Sequence, residues 1–264
     1  MNEVIKRTLS GVIYIALLIS AILYSDITLF ALFAFLYFIA VFEFCKLYKI
    51  NKFYGLFLSA VLASSLLVLN NHSFNVIYLL VVPFSIYLIF NLFNFNEEKD
   101  KSILLKLTHL AGYVCLPFII ITQLPYFNHI YEPYLLLYLF IMIWCNDTFA
   151  YICGRLLGKH KLYEKISPKK TIEGFIGGLV FTQIAAFIIF KVSSIQTSIV
   201  AWQFVALATS ILGTIGDLIE SKYKRQAAVK DSGNIMPGHG GVLDRFDSIL
   251  FAAPFLFLIY KFVM

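Results

Sequence analysis

The sequence predicts an all-α fold: a polytopic membrane helix bundle of about nine transmembrane helices. Three observations carry that prediction. Of 264 residues, 60% are hydrophobic and 14% are charged, against roughly 45–50% and 25% in soluble domains. Apolar runs recur along the whole length, and a membrane crossing needs about 20 apolar residues. Positive charge alternates between successive connections. Mean hydropathy is +0.84. A compact soluble fold of this length has nowhere to hide so much apolar surface, so a water-soluble enzyme, a disordered chain and a coiled coil are excluded.

In chain order the runs are Leu9–Tyr24, Ile27–Phe44, Tyr54–Leu69, Phe74–Phe93, Ile103–Gln123, Tyr134–Cys153, Ile172–Phe190, Ile199–Leu218 and Phe246–Val263. The first follows Lys6 and Arg7 and has the shape of a signal peptide. No A-x-A-like cleavage site follows it, and eight further runs do, so it is read as a retained first helix. Residues 1–264 are read as one integral membrane unit, with N-terminal helices to about 133 and the chemistry from about 134 onward.

Of the 21 Lys and Arg residues, 19 fall before the first run, in every second connection or, for Lys106, at the adjoining start of the fifth run. The remaining two, Lys191 and Lys261, fall on the opposite side. Positive charge near short loops stays cytoplasmic, so the N-terminus is expected inside and the C-terminus outside. The net charge of +6 then belongs to a surface facing anionic lipid, and no nucleic-acid partner is expected. The polar stretch around FNEEKD, after the fourth run, is read as a solvated connector. Cys45, Cys115, Cys145 and Cys153 lie in or beside apolar stretches without CxxC spacing, which suggests neither a disulfide framework nor a zinc site.

Acids at membrane depth are costly unless paired, hydrated or bound to metal. Glu43 ends the second run with Lys46 one turn on, and an interfacial i,i+3 pair accounts for it. Asp147 lies inside the sixth run with no Lys or Arg in the same run, which favours a polar cavity. Asp217 closes the eighth run. If that helix continues, Asp217, Glu220, Ser221 and Lys224 share one face, and Asp217 is expected to bind metal.

The densest constellation follows, SKYKRQAAVKDSGNIMPGHGGVLDRFD over 221–247. It offers the basic residues Lys224, Arg225, Lys230 and Arg245, the acids Asp231, Asp244 and Asp247, and the turn residues His239, Gly240 and Gly241. Asp244 and Asp247 are three apart at the start of the last helix. Glycine N–H groups and a helix N-terminus attract phosphate, and carboxylates hold Mg²⁺. Carboxylates, glycines and cations in one segment therefore suggest Mg²⁺-assisted phosphate chemistry. Upstream, Ser167-Pro-Lys169-Lys170-Thr171 leads into the seventh run. Thr171 is a candidate cap there, and Lys169 and Lys170 would attract a polyanion.

These residues resemble a known family. Ser221-x-x-Lys224-Arg225-x4-Lys230-Asp231-x-Gly233, then Pro237-Gly238-His239-Gly240-Gly241-x-x-Asp244-Arg245-x-Asp247, is similar to the signature of bacterial phosphatidate cytidylyltransferases, or CDP-diacylglycerol synthases. Gly216-Asp217-x-x-Glu220, the Ser167–Gly174 block and Asn146-Asp147 with Tyr151, Gly154 and Gly158 match as well. The resemblance implies that CTP and phosphatidic acid give CDP-diacylglycerol and pyrophosphate. It implies Mg²⁺, leaving a second cation open, and a homodimer in the membrane lipid.

On that basis Asp217 and Asp244 are expected as metal ligands. Asp147, Asp231 and Asp247 are second-rank acids. Lys224, Arg225, Lys230 and Arg245 are expected to hold the triphosphate or the lipid phosphate, and Lys169 and Lys170 to guide one of them. Ser221, His239, Gly240 and Gly241 would orient phosphate oxygens, with Ser167, just before Lys169 and Lys170, as a further substrate-binding residue. The expected location is the inner (plasma) membrane, multi-pass, with the site on the cytoplasmic side. The rival readings are a CTP-dependent polyprenol or phytol kinase and a secondary transporter.

Overall fold

The computed structural model describes residues 3–68, 71–94, 102–127, 130–235, 238 and 240–263. The connector at 95–101 and His239 lie outside the described residues. Nine helices are present among the described residues, one on each apolar run. They are α1 (Glu3–Tyr24), α2 (Asp26–Leu47), α3 (Lys52–Val68), α4 (Asn71–Leu92), α5 (Ile103–Ile121), α6 (Pro133–Leu157), α7 (Ile172–Val192), α8 (Ile199–Gln226) and α9 (Leu243–Val263). By length and composition α2 and α5 to α9 are each able to cross a membrane. The apolar stretches of α1, α3 and α4 among the described residues are shorter.

Local chemistry sets the helix starts. Ser25 caps α2, accepting from the Thr28 N–H at 3.1 Å while the Thr28 hydroxyl takes the Ser25 N–H, so one residue suffices to reverse the chain. Thr171 and Ser198 accept from Gly174 and Ala201 at the starts of α7 and α8, supplying the acceptor a first turn lacks. Helix α5 widens by one residue over Leu110–Cys115, just before Pro117. A proline inside a helix lacks the N–H and crowds the preceding turn, and a widened turn absorbs that misfit.

Polar contacts pin alternate helix ends together. At one end the Tyr131 hydroxyl donates to the Ile22 carbonyl at 2.6 Å, and the Tyr260 hydroxyl to the Leu135 carbonyl at 3.2 Å. At the other, His109 Nδ1 and the Tyr223 hydroxyl are 2.6 Å apart. There the buried Lys222 also donates to the Asn91 carbonyl in the last turn of α4 and to the Asn94 carbonyl just after it. The ends of α2, α4, α6 and α8 thus share a level with the starts of α5, α7 and α9. That level carries nearly all the polar chemistry.

Two kinds of packing hold it. The fully buried Phe246 ring meets Tyr14, Phe33, Phe118 and Phe140 at centroid distances of 5.5–6.2 Å, so one aromatic ties the first turn of α9 to α1, α2, α5 and α6. Small residues let α6 to α9 approach closely. A Cβ on Gly178 would sit 2.8 Å from Asn146 Oδ1, and one on Gly216 would sit 2.6 Å from the Asp247 carbonyl.

Gly178→Leu is expected to cost about 1–3 kcal/mol by overpacking and to lower the melting temperature of the detergent-solubilised chain. Val180→Leu, on the exposed face of the same helix, should leave it unchanged. Equal melting of both variants would contradict the close α6–α7 contact.

Candidate active site

The site is assembled from the ends of α2, α6 and α8, the starts of α7 and α9, and two connections. Helix α8 runs past the apolar run to Gln226, which places Asp217, Glu220, Ser221 and Lys224 on one face. The Ser221 hydroxyl donates to Asp217 Oδ1 at 3.2 Å. Lys224 Nζ contacts Glu220 and lies 2.7 Å from Asp244 Oδ1. All three side chains are largely buried, so one ammonium bridges carboxylates from two helices.

Between α6 and α7 the chain forms a hairpin of β1 (Lys161–Tyr163) and β2 (Ser167–Thr171), antiparallel, with Lys161 opposite Thr171 and Tyr163 opposite Ser167. Glu173 clamps its base, accepting from the Lys159 and His160 N–H groups and lying 2.6 Å from His160 Nδ1. The hairpin turn buries Ile166, whose carbonyl accepts from Arg225 Nε at 3.3 Å. This scaffold delivers Lys170, whose Nζ lies 2.5 Å from Asp217 Oδ2. Lys169, next along the strand, is exposed.

Asp244 opens α9 and organises the glycine segment. Its Oδ2 accepts from the Ser232 N–H, the Ser232 hydroxyl and the Gly241 N–H, each at 2.8 Å. Gly240 has φ +85°, and a Cβ there would meet Asp244 Oδ2 at 2.5 Å. Both the left-handed backbone and the close carboxylate require glycine at this position.

Asp147, Asp217 and Asp247 are near enough to repel one another, and Lys170, Lys224 and Arg245 are near enough to offset part of that repulsion. A cavity of about 170 Å³ adjoins them. Asp147, Asp244, Arg245 and Asp247 form its polar side. Gly11, Tyr14 and Ile15 of α1, Phe140, Ile143 and Trp144 of α6, and Ile249 of α9 form the remainder.

The structure therefore gathers Asp147, Lys170, Asp217, Ser221, Lys224, Gly240, Gly241, Asp244, Arg245 and Asp247 at one place. Ser167 sits on β2 opposite Tyr163. Arg225 spends donors on the Ile166 and Val229 carbonyls and so fastens the two connections. Lys230 and Asp231 are exposed.

One participant differs from its sequence reading. Glu43 makes no ion pair with Lys46. Its carboxylate is 6% exposed and accepts from the Val242 and Leu243 N–H groups at 3.1 and 2.9 Å. Of the N–H groups expected to attract phosphate at the start of α9, those of Gly241, Val242 and Leu243 are thus taken by the protein's own carboxylates. The sequence signal for Glu43 was an acid at a span end, and its backbone partners were beyond reach of any local pattern.

A family model described as the cytidylyltransferase family matches residues 5–263. The chain belongs to this family. Among curated relatives it is 52% identical over 121 residues to a phosphatidate cytidylyltransferase of Staphylococcus haemolyticus, covering 46% of each chain. It is 47% identical over 131 residues to that of Bacillus subtilis, covering 48% of this chain and 49% of the relative. It is 44% identical over 135 residues to that of Staphylococcus saprophyticus, covering 49% and 52%. The chain spans about half the length of the curated relatives it matches.

Replacing Lys224 by Met leaves two buried carboxylates without their cation. The expected loss is on the order of 3–5 kcal/mol, seen as a lower melting temperature, with Lys224→Arg recovering part of it. Unchanged melting of Lys224→Met would mean that the bridge does not hold α8 to α9.

Proposed function

We propose that the chain is a phosphatidate cytidylyltransferase, transferring CMP from CTP to phosphatidic acid and giving CDP-diacylglycerol and pyrophosphate. The observation that carries this reading is the joining of the Asp217–Lys170 and Lys224–Asp244 pairs beside a cavity with one polar and one apolar side. An amphiphilic phosphate ester matches such a cavity, and the family membership supplies the nucleotide.

The lipid phosphate is already an anionic nucleophile. One of its oxygens attacks the α-phosphorus of CTP, a new P–O bond forms, and the bond to the bridging oxygen of the β-phosphate breaks. Pyrophosphate leaves with that electron pair. No serine or cysteine nucleophile is needed, and no proton must be removed from a hydroxyl. The barrier is mainly electrostatic, since several negative oxygens must be brought together. Lys170, Lys224 and Arg245 supply fixed positive charge, Lys230, Arg225 and Lys169 add to the approach surface, and Ser221 orients Asp217.

The donor set fits a divalent cation such as Mg²⁺, a hard ion bound through one or two carboxylates plus substrate phosphates and water. No three Asp, Glu, His or Cys side chains among the described residues form a metal-holding group by themselves. Asp217 and Asp244 would hold it. Asp244 Oδ1 has Lys224 as its hydrogen-bond donor, whereas Oδ2 is filled by the loop. A bound ion would offset the charge gathering on the phosphates.

In this reading all nine helices span the membrane, with the N-terminus cytoplasmic and the C-terminus outside. The alternate pinning of helix ends and the one-sided Lys and Arg distribution support it. The site then faces the cytoplasm at the inner membrane, where CTP is present and phosphatidic acid lies in the adjacent leaflet. A homodimer is part of the proposal through the family resemblance.

Purified chain supplied with labelled CTP, phosphatidic acid and Mg²⁺ should yield pyrophosphate and CDP-diacylglycerol. Release of CDP with a phosphorylated lipid would instead identify a CTP-dependent lipid kinase. Asp217→Asn and Asp244→Asn should each reduce turnover at least about 100-fold while the chain remains folded. Near-normal turnover in either would remove that residue from the metal site.

A further inference from the structure

Glu43 and Asp244 act on the same segment from two helices that are far apart in sequence. Between them they accept the N–H groups of Gly241, Val242 and Leu243. These are consecutive donors at the start of α9, where an isolated helix leaves its first N–H groups unsatisfied. The two carboxylates also share Ser232, whose hydroxyl lies 3.3 Å from Glu43 Oε2 and 2.8 Å from Asp244 Oδ2. The segment wraps Glu43 without room for side chains. A Cβ on Gly233 would come 2.2 Å from Glu43 Oε1, and one on Gly241 would come 2.3 Å from it.

We propose that Glu43 is a positioning residue for cytidylyl transfer. It holds Ser232, Gly233 and Gly241–Leu243 against the end of α2, and thereby aims Asp244 and Lys224 at the substrate phosphates. This rests on the cytidylyltransferase reading of the site. The chemistry requires a carboxylate rather than an amide. Two acceptor oxygens meet three donors, while a glutamine would turn its own N–H₂ toward one of them. Negative charge is also favoured at a helix N-terminus. A second consequence concerns substrate. With the Gly241, Val242 and Leu243 N–H groups occupied, the phosphates near α9 must find other donors, among them the side chains of Lys224 and Arg245.

The test uses the full chain in detergent micelles, comparing Glu43→Gln, Glu43→Asp and Ser232→Ala with wild type, and Lys46→Ala as a control. Hydrogen exchange is followed peptide by peptide, with initial rates measured against CTP, phosphatidic acid and Mg²⁺. Loss of hydrogen bonds to a charged acceptor should speed exchange of segment 232–243 in Glu43→Gln by about 10-fold to 100-fold, leaving α6 and α7 as in wild type. The same variant should lose about 10-fold or more in kcat. It should need more Mg²⁺ for half-maximal rate, with KM for phosphatidic acid little changed. Ser232→Ala removes only the shared hydroxyl and should show the same pattern more weakly. Glu43→Asp keeps the charge and should fall between Glu43→Gln and wild type. Unchanged exchange of the segment in Glu43→Gln and Ser232→Ala overturns the proposal. So does faster exchange spread equally over all helices, or a lower kcat with no change in Mg²⁺ dependence. A wild-type chain that releases no pyrophosphate overturns the functional reading instead, and the exchange comparison then still decides whether Glu43 holds the segment.

Discussion

The arrangement depends on one ammonium. Lys224 stands between Glu220 on its own helix and Asp244 at the start of the next, in surroundings that exclude most water. Two buried carboxylates without it would carry an uncompensated charge, which low-dielectric surroundings penalise heavily. With it, the last turns of α8 are fixed to the first turn of α9. Because Asp244 also gathers Ser232 and Gly241, the glycine segment is fixed with them. The buried Phe246 ring anchors the same turn from the apolar side. Charge pairing above and aromatic packing below thus orient Asp244, Arg245 and Asp247 without any substrate.

Much of the helical architecture was legible because a bilayer imposes a simple rule. Each apolar run became a helix, and continuation of α8 beyond Leu218 put Ser221 and Lys224 on the Asp217 face, as the three- and four-residue spacing required. The Thr171 cap was legible for the same reason, being a local contact between neighbours in sequence. The hairpin at Lys161–Thr171 was not. Its strands are short, and Glu173 and Arg225 fasten it from other elements. The widened turn in α5 also left no periodic signature, although Pro117 marks its neighbourhood.

The site was legible in part. Its acids and lysines stood out because charged groups are rare in this chain. Glu43 did not stand out as part of the site. Sequence proximity assigned it to Lys46, one turn away, whereas its partners are backbone N–H groups 199 and 200 positions on. Backbone donors have no side-chain identity, so no motif records them. The Gly241, Val242 and Leu243 N–H groups were likewise read as open to phosphate, when internal carboxylates accept from them. Here one physical preference, anions at helix N-termini, is met by the protein's own acids rather than by ligand.

In the proposed function, the end of α8 and the start of α9 would present Asp217 and Asp244 to one divalent ion shared with the nucleotide. The most direct measurement is a crystal structure of the full chain with CTP and Mn²⁺, using the manganese anomalous signal to place the ion. The expected result is a peak about 2 Å from a carboxylate oxygen of each aspartate, with a nucleotide phosphate oxygen in the same coordination shell. A manganese peak held by other residues, with the nucleotide bound away from both aspartates, would contradict it.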